Sequence, residues 1–206
     1  MNEKFYINIG RQLGSGGHKV GRIIADDLKI PFFDKELIEL ASQKSELHKD
    51  FFEKANEKTT HSLFGGLGLS TAINDIFTTN YLCNEKLFQI QSDVIKELSE
   101  KSSCLFIGRC TDYVLRNKSH CLNLFVSANP QDRINRIVKS QNIPENKAKE
   151  IIEKADKKRS EYYNFFSGKI WGAAESYHFT INTSLLGIEK TAKCIENIAK
   201  QYVTCL

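Results

Sequence analysis

Five short apolar runs, separated by segments of helical periodicity, constrain this chain more than any other feature. They are KFYINI (4–9), IPFFD (30–34), SCLFIG (103–108), CLNLFVS (121–127) and HFTIN (178–182). SCLFIG is apolar throughout rather than alternating, which is the pattern of a strand buried on both faces. Between the runs, GHKVGRIIADDL places Val20, Ile23, Ile24 and Leu28 on one helical face, and residues 80–101 do the same through Leu87, Ile90, Val94 and Leu98. NPQDRINRIVKSQ opens a helix with Pro130 in its first turn. Residues 144–166 form a charged helix, and GIEKTAKCIENIAKQYV a last one. Strands alternating with helices in this way predict an α/β fold with a mostly parallel, right-handed sheet.

At 206 residues, with no repeat and no flexible linker, a single domain is expected. Residues 45–79, with the glycine-rich stretch SLFGGLGLSTA, have no clear period and read as a mobile region. A net charge of +4, from 29 basic and 25 acidic residues, does not point to nucleic acid as a partner. Nothing in the sequence approaches the roughly 20 apolar residues of a membrane span. The six cysteines form no C-x-x-C pair and no zinc spacing, and the first strand begins without a signal peptide. These features predict a cytoplasmic protein with reduced thiols and no metal site of its own.

Ligands of parallel sheets collect at the carboxyl ends of the strands, which singles out four places. The first is the loop GRQLGSGGHK after strand one. Glycines between a strand and a helix let backbone N–H groups converge on a phosphate, and the helix N-terminus adds positive potential; the alternative is a tight turn whose glycines serve packing. The phosphate-loop pattern G-x-x-x-x-G-K-[ST] asks for lysine and then a hydroxyl, where this chain has Gly17 and His18. Lys19 lies two positions late, about 200° round the helix, so Arg11, His18, Lys19 or a distant arginine is left to contribute charge. Gly14, Ser15, Gly16 and Gly17 are the candidate cradle.

Asp34 ends the second strand, as a carboxylate that orients a hydroxyl or holds magnesium through water, or as the cap of the helix beginning at Lys35. Arg109 follows the third strand, either as a fork for phosphate or paired with Asp112. Arg133 and Arg136, three apart on one helix face, are placed to look into the same cleft. The segment KKRSEYYNFFSGKIWG carries Lys157, Lys158 and Arg159 and then Tyr162, Tyr163, Phe165, Phe166 and Trp171. Such a concentration of aromatics reads as a homodimer patch or as a cover over a ligand.

Taken in order, these motifs resemble the cytidylate kinase-like family of phosphate-loop proteins. The resemblance covers nearly the whole chain and rests on GSGGHKVGRIIADDLKIPFFDKELI, FIGRCTDYVL, LFVSANPQDRINRI and KKRSEYYNFFSGKIWGAAESYHFTINTSLLG. It implies a three-layer P-loop NTPase fold with sheet order 2-3-1-4-5, a nucleoside-monophosphate-binding region at 45–79 and a lid at 144–175. It also implies ATP and Mg2+ as cofactors and transfer of a phosphoryl group to a nucleoside monophosphate or other small phosphorylated substrate. The alternative is a nucleotide- or anion-binding regulatory protein without transfer. In the family's terms Gly14–Gly17 cradle the donor phosphates, Asp34 and Arg109 lie at the acceptor site, and Arg159 stabilises the transferring group. The chain departs at Gly17, a change typical of this branch, at His18, and at Cys110, where true cytidylate kinases have G-R-D.

Overall fold

A computed structural model of the protein describes residues 4–35, 37–39 and 81–204. Residues 1–35 and 98–206 form one compact unit and residues 36–97 a second. The second contains a helical segment at Leu37–Glu39 and the first part of a long helix; the region at 45–79 lies outside the described residues.

The first unit is built on a five-stranded parallel sheet: β1 (Tyr6–Arg11), β2 (Phe32–Phe33), β3 (Cys104–Ile107), β4 (Cys121–Ser127) and β5 (Phe179–Asn182), in the order β2-β3-β1-β4-β5. That is the expected 2-3-1-4-5 order. Helices among the described residues include α1 (Gly17–Leu28), α2 (Tyr81–Lys101), α3 (Thr111–Val114), α4 (Pro130–Gln141), α5 (Glu145–Ser167) and α6 (Thr183–Thr204), the last kinked at Gly187. A 3-10 turn spans Ala174–Ser176. No helix among the described residues is long and apolar enough to cross a membrane.

One sheet face carries Ile7, Ile9, Leu105, Ile107, Leu122, Leu124 and Val126 against Val20, Ile24 and Ala25 of α1 and Ala192, Ile195 and Ala199 of α6. Val20 and Ile24 are among the apolar positions whose spacing predicted α1. On the other face Phe125 meets Trp171 edge-on at 5.1 Å and Tyr177 at 5.1 Å, while Tyr163 of α5 stacks on Tyr177. The aromatic segment therefore contributes in part to the interior, with Tyr163 and Tyr177 buried and Phe165 half exposed.

One boundary differs in a way that bears on the site. Gly10 and Arg11, read as loop, continue β1, because β4 is long enough to pair with them at Phe125 and Val126. At the end of β5 a helical turn from Thr183 precedes Gly187 (φ +78°, ψ 172°), whose non-helical backbone separates that turn from the expected last helix.

Candidate functional site at the carboxyl edge of the sheet

The loop after β1 is shaped by two left-handed glycines, Gly14 (φ +77°) and Gly16 (φ +81°). A Cβ on Gly14 would stand 2.7 Å from the backbone oxygen of Arg133, so glycine is required there by space as well as by conformation. The loop carbonyls are turned to one side. Arg136 Nη1 donates to Gly14 O at 3.0 Å and Ser15 O at 2.9 Å, and the buried Thr183 hydroxyl also donates to Ser15 O, at 2.6 Å. Ser15 Oγ donates to Gln12 O and accepts from Gly17 N. The N–H groups of Gly14, Gly16, His18 and Lys19 have no acceptor among the described residues. Together with the N-terminus of α1, they form a cradle of donors with partial positive charge that fits a phosphate chain.

A second network holds the loop from below. Buried Arg133 donates through Nε to Leu13 O at 2.8 Å and forms an ion pair with Asp156, whose Oδ1 accepts from Leu13 N at 2.8 Å. Arg159 Nη1 lies 3.4 Å from Arg11 O and 3.5 Å from Asp156 Oδ1. The helix carrying these residues is held by Ala148 and Ile152 packed on Ile134 and Ile137 of α4, with Leu13 of the loop against the same cluster. Arg133 and Arg136 thus differ from expectation. They grip the carbonyl side of the loop, because α4 runs behind it, and do not line its N–H side.

At the start of α1, His18 Nε2 and Asp34 Oδ2 are 2.9 Å apart, joining the loop to the end of β2. The His18 ring meets Phe32 edge-on at 5.2 Å, and Arg22, one turn further along α1, lies over the Phe32 ring at 4.0 Å. Lys19 is exposed on α1. After β3 the chain turns through three positive-φ residues, Gly108, Arg109 and Cys110. The Arg109 guanidinium lies over the Tyr162 ring at 5.5 Å, and Arg11 reaches the same turn from β1, its Nη1 2.4 Å from where a Cβ on Gly108 would stand.

Asp112 receives a hydrogen bond from Tyr163 at 2.8 Å and an ion pair from Lys169 at 3.5 Å, fastening α5 and the segment after it to the turn that follows β3. Burial pushes the Tyr163 phenol and the Cys110 thiol up.

Two groupings result. Arg11, Gly14–Gly17 and Arg159 are linked through the loop and its supports, with Arg11 extending to the Arg109 turn; His18 and Asp34 form a pair at the loop's far end. Sequence reasoning missed Asp156, Tyr163 and Thr183 as supports. Thr183 carried a signal, the NTS that ends the last strand, but nothing local shows that its hydroxyl meets Ser15. Among the described residues no group of three or more His, Cys, Asp or Glu could hold a metal ion. His18 stands where the loop pattern has a hydroxyl, and imidazole suits Mg2+ poorly, whereas the Asp34 carboxylate suits it.

A family model described as cytidylate kinase-like matches residues 6–185. Among solved structures, an uncharacterized protein from Eubacterium ventriosum superposes with a TM-score of 0.73 at 22% identity, covering 96% of this chain and 99% of that one. Shikimate kinase from Bacteroides thetaiotaomicron gives 0.51 at 13% identity, covering 95% and 98%. Shikimate kinase from Acinetobacter baumannii, solved with shikimate, gives 0.51 at 19% identity, covering 97% and 95%. At these identities the likeness is one of fold. No curated protein matches by sequence.

Proposed function

The chain belongs to the cytidylate kinase-like family, and from that premise we propose that it is an ATP-dependent phosphotransferase acting on a nucleoside monophosphate of the CMP type or another small acceptor. The observation that carries this reading is the loop cradle: four N–H groups without acceptors among the described residues at the N-terminus of α1, with the carbonyls held away by Arg136 and Thr183. Phosphoryl transfer is mostly positioning and charge neutralisation, so a chain with donors for the phosphates and cations around them has the parts it needs.

In this reading the N–H groups of Gly14, Gly16, His18 and Lys19 bind the donor phosphates. Arg109 and Arg159 neutralise charge on the transferring group and the acceptor, with α5 and the residues to 175 acting as the lid. Asp34, oriented by His18, positions the acceptor's attacking oxygen, and takes up the proton where that oxygen is a hydroxyl; an attacking phosphate oxygen is already ionised and has none to give. Asp34 would hold Mg2+ through water, and the ion, when bound, would supply further neutralisation of phosphate charge. The reaction takes place in the cytoplasm.

A coupled assay of ADP release across CMP, dCMP, UMP, AMP and shikimate tests the proposal; shikimate enters because shikimate kinases share the fold. Turnover with one acceptor supports it, and none with any acceptor in a folded preparation sinks the transferase. The second reading, a nucleotide-binding regulatory protein, is favoured by Gly17 at the lysine position. Its signature is ATP binding by calorimetry without turnover.

A further inference from the structure

We propose that Arg11 supplies the cation the phosphate loop lacks, and that residue 17 is glycine because Arg11 occupies the space a side chain there would need. The inference rests on the reading of this loop as a nucleotide site. When the pattern G-x-x-x-x-G-K-[ST] is set on Gly16, Gly17 falls at the lysine and Arg11 at the pattern's first glycine. The two positions carry exchanged residue types: arginine for glycine, and glycine for lysine.

They also touch. A Cβ on Gly17 would stand 2.7 Å from Arg11 Cβ, 3.3 Å from Arg11 Cγ and 3.1 Å from Val126 Cβ. Gly17 has no positive φ, unlike Gly14 and Gly16, so its backbone does not demand glycine. Its neighbour's side chain does. Arg11 is held in β1 opposite Val126 of β4, so its stem cannot retreat without breaking the sheet register. From there its guanidinium runs to the turn after β3, against Gly108 and next to Arg109 in sequence, at the carboxyl edge where the loop's donors lie. Gly108 (φ +76°) leaves room for it. A guanidinium is charged at every working pH, and its planar fork matches two phosphate oxygens.

Of the other cations near the loop, Arg133 and Arg136 bind its carbonyls and Lys19 stands exposed on α1, while Arg109 and Arg159 are assigned above to the transferring group and the acceptor. The cation has thus moved from the helix to the strand.

Calorimetry with ATP on wild type and four variants tests this, with circular dichroism and thermal melts reporting the fold. Arg11→Gln, which keeps much of the stem, is expected to weaken ATP binding about tenfold or more, the loss of a charge-assisted contact. Arg11→Lys retains part of the affinity. Gly17→Lys alone gains nothing, because the site is full. Arg11→Gly combined with Gly17→Lys restores the loop pattern and recovers affinity to within a few-fold of wild type. Folded Arg11→Gln binding ATP as tightly as wild type overturns the inference while leaving the nucleotide site intact, as does a double variant that folds but binds no better than Arg11→Gln. Absence of ATP binding by the wild type removes the nucleotide site and the inference with it.

Discussion

Tyr163 donates its hydroxyl to Asp112 at 2.8 Å, joining two residues 51 positions apart in the sequence. The bond holds α5 against the turn after β3 and satisfies a carboxylate that is nearly buried. Tyr163→Phe removes the donor and leaves Asp112 with Lys169. A loss of about 1.5–3 kcal/mol is expected, in the range for a hydrogen bond to a charged group, and urea unfolding measures it.

The same region sets how the fold responds to alkali. Burial raises the Tyr163 and Tyr177 phenols above their ordinary value of 10.0, and the Cys110 and Cys121 thiols above 9.0, Cys121 to about 11. Each group is neutral when protonated and loses its proton more readily in the unfolded chain. Their contribution is therefore complete below about pH 9 and is lost as pH rises, by up to about 1.4 kcal/mol per pH unit for each group in its window. Thermal midpoints should show no decline from these groups between pH 7 and 8.5, and a steepening fall above pH 9.

Asp156 serves three partners, the Arg133 guanidinium, the Leu13 N–H and, at 3.5 Å, the Arg159 guanidinium. Asp156→Ala leaves a buried arginine without its carboxylate, and the expected cost is about 3–5 kcal/mol. Asp156→Asn keeps an acceptor for Leu13 and should cost less. Chemical denaturation of the two variants separates the charge from the hydrogen bond.

Arg136 holds the loop carbonyls of Gly14 and Ser15. In Arg136→Ala the loop loses that constraint, and hydrogen exchange at residues 13–18 should quicken. Weaker ATP binding, by about tenfold, is the accompanying expectation. The sheet strands should keep their protection.

Asp34 is the carboxylate at the loop's far end, paired with His18. If it takes the acceptor's proton, Asp34→Asn lowers kcat about a hundredfold or more and leaves ATP affinity within a few-fold of wild type. An equal loss of ATP affinity would instead assign Asp34 to the donor side.

Each kind of feature was legible in the sequence to a different depth. The five strands, their helices and the phosphate-loop position follow from apolar periodicity and from glycines at a strand–helix junction, which are local properties of a few consecutive residues. Asp34 and Arg109 were visible as polar residues ending apolar strands. The orientation of the arginines was not. Arg133 and Arg136 share a helix face by spacing alone, but that they meet the carbonyls of the loop depends on α4 packing behind it through Leu13, Ile134 and Ile137.

The sequence by itself therefore determined the α/β architecture and the place of the loop, because hydrophobic period and glycine content specify each element without its neighbours. The tertiary structure alone decided that Arg11 faces Gly17, that Thr183 meets Ser15 and that Tyr163 reaches Asp112. Those contacts depend on which strands pair and in what register, and such distances arise only when separate elements share one core.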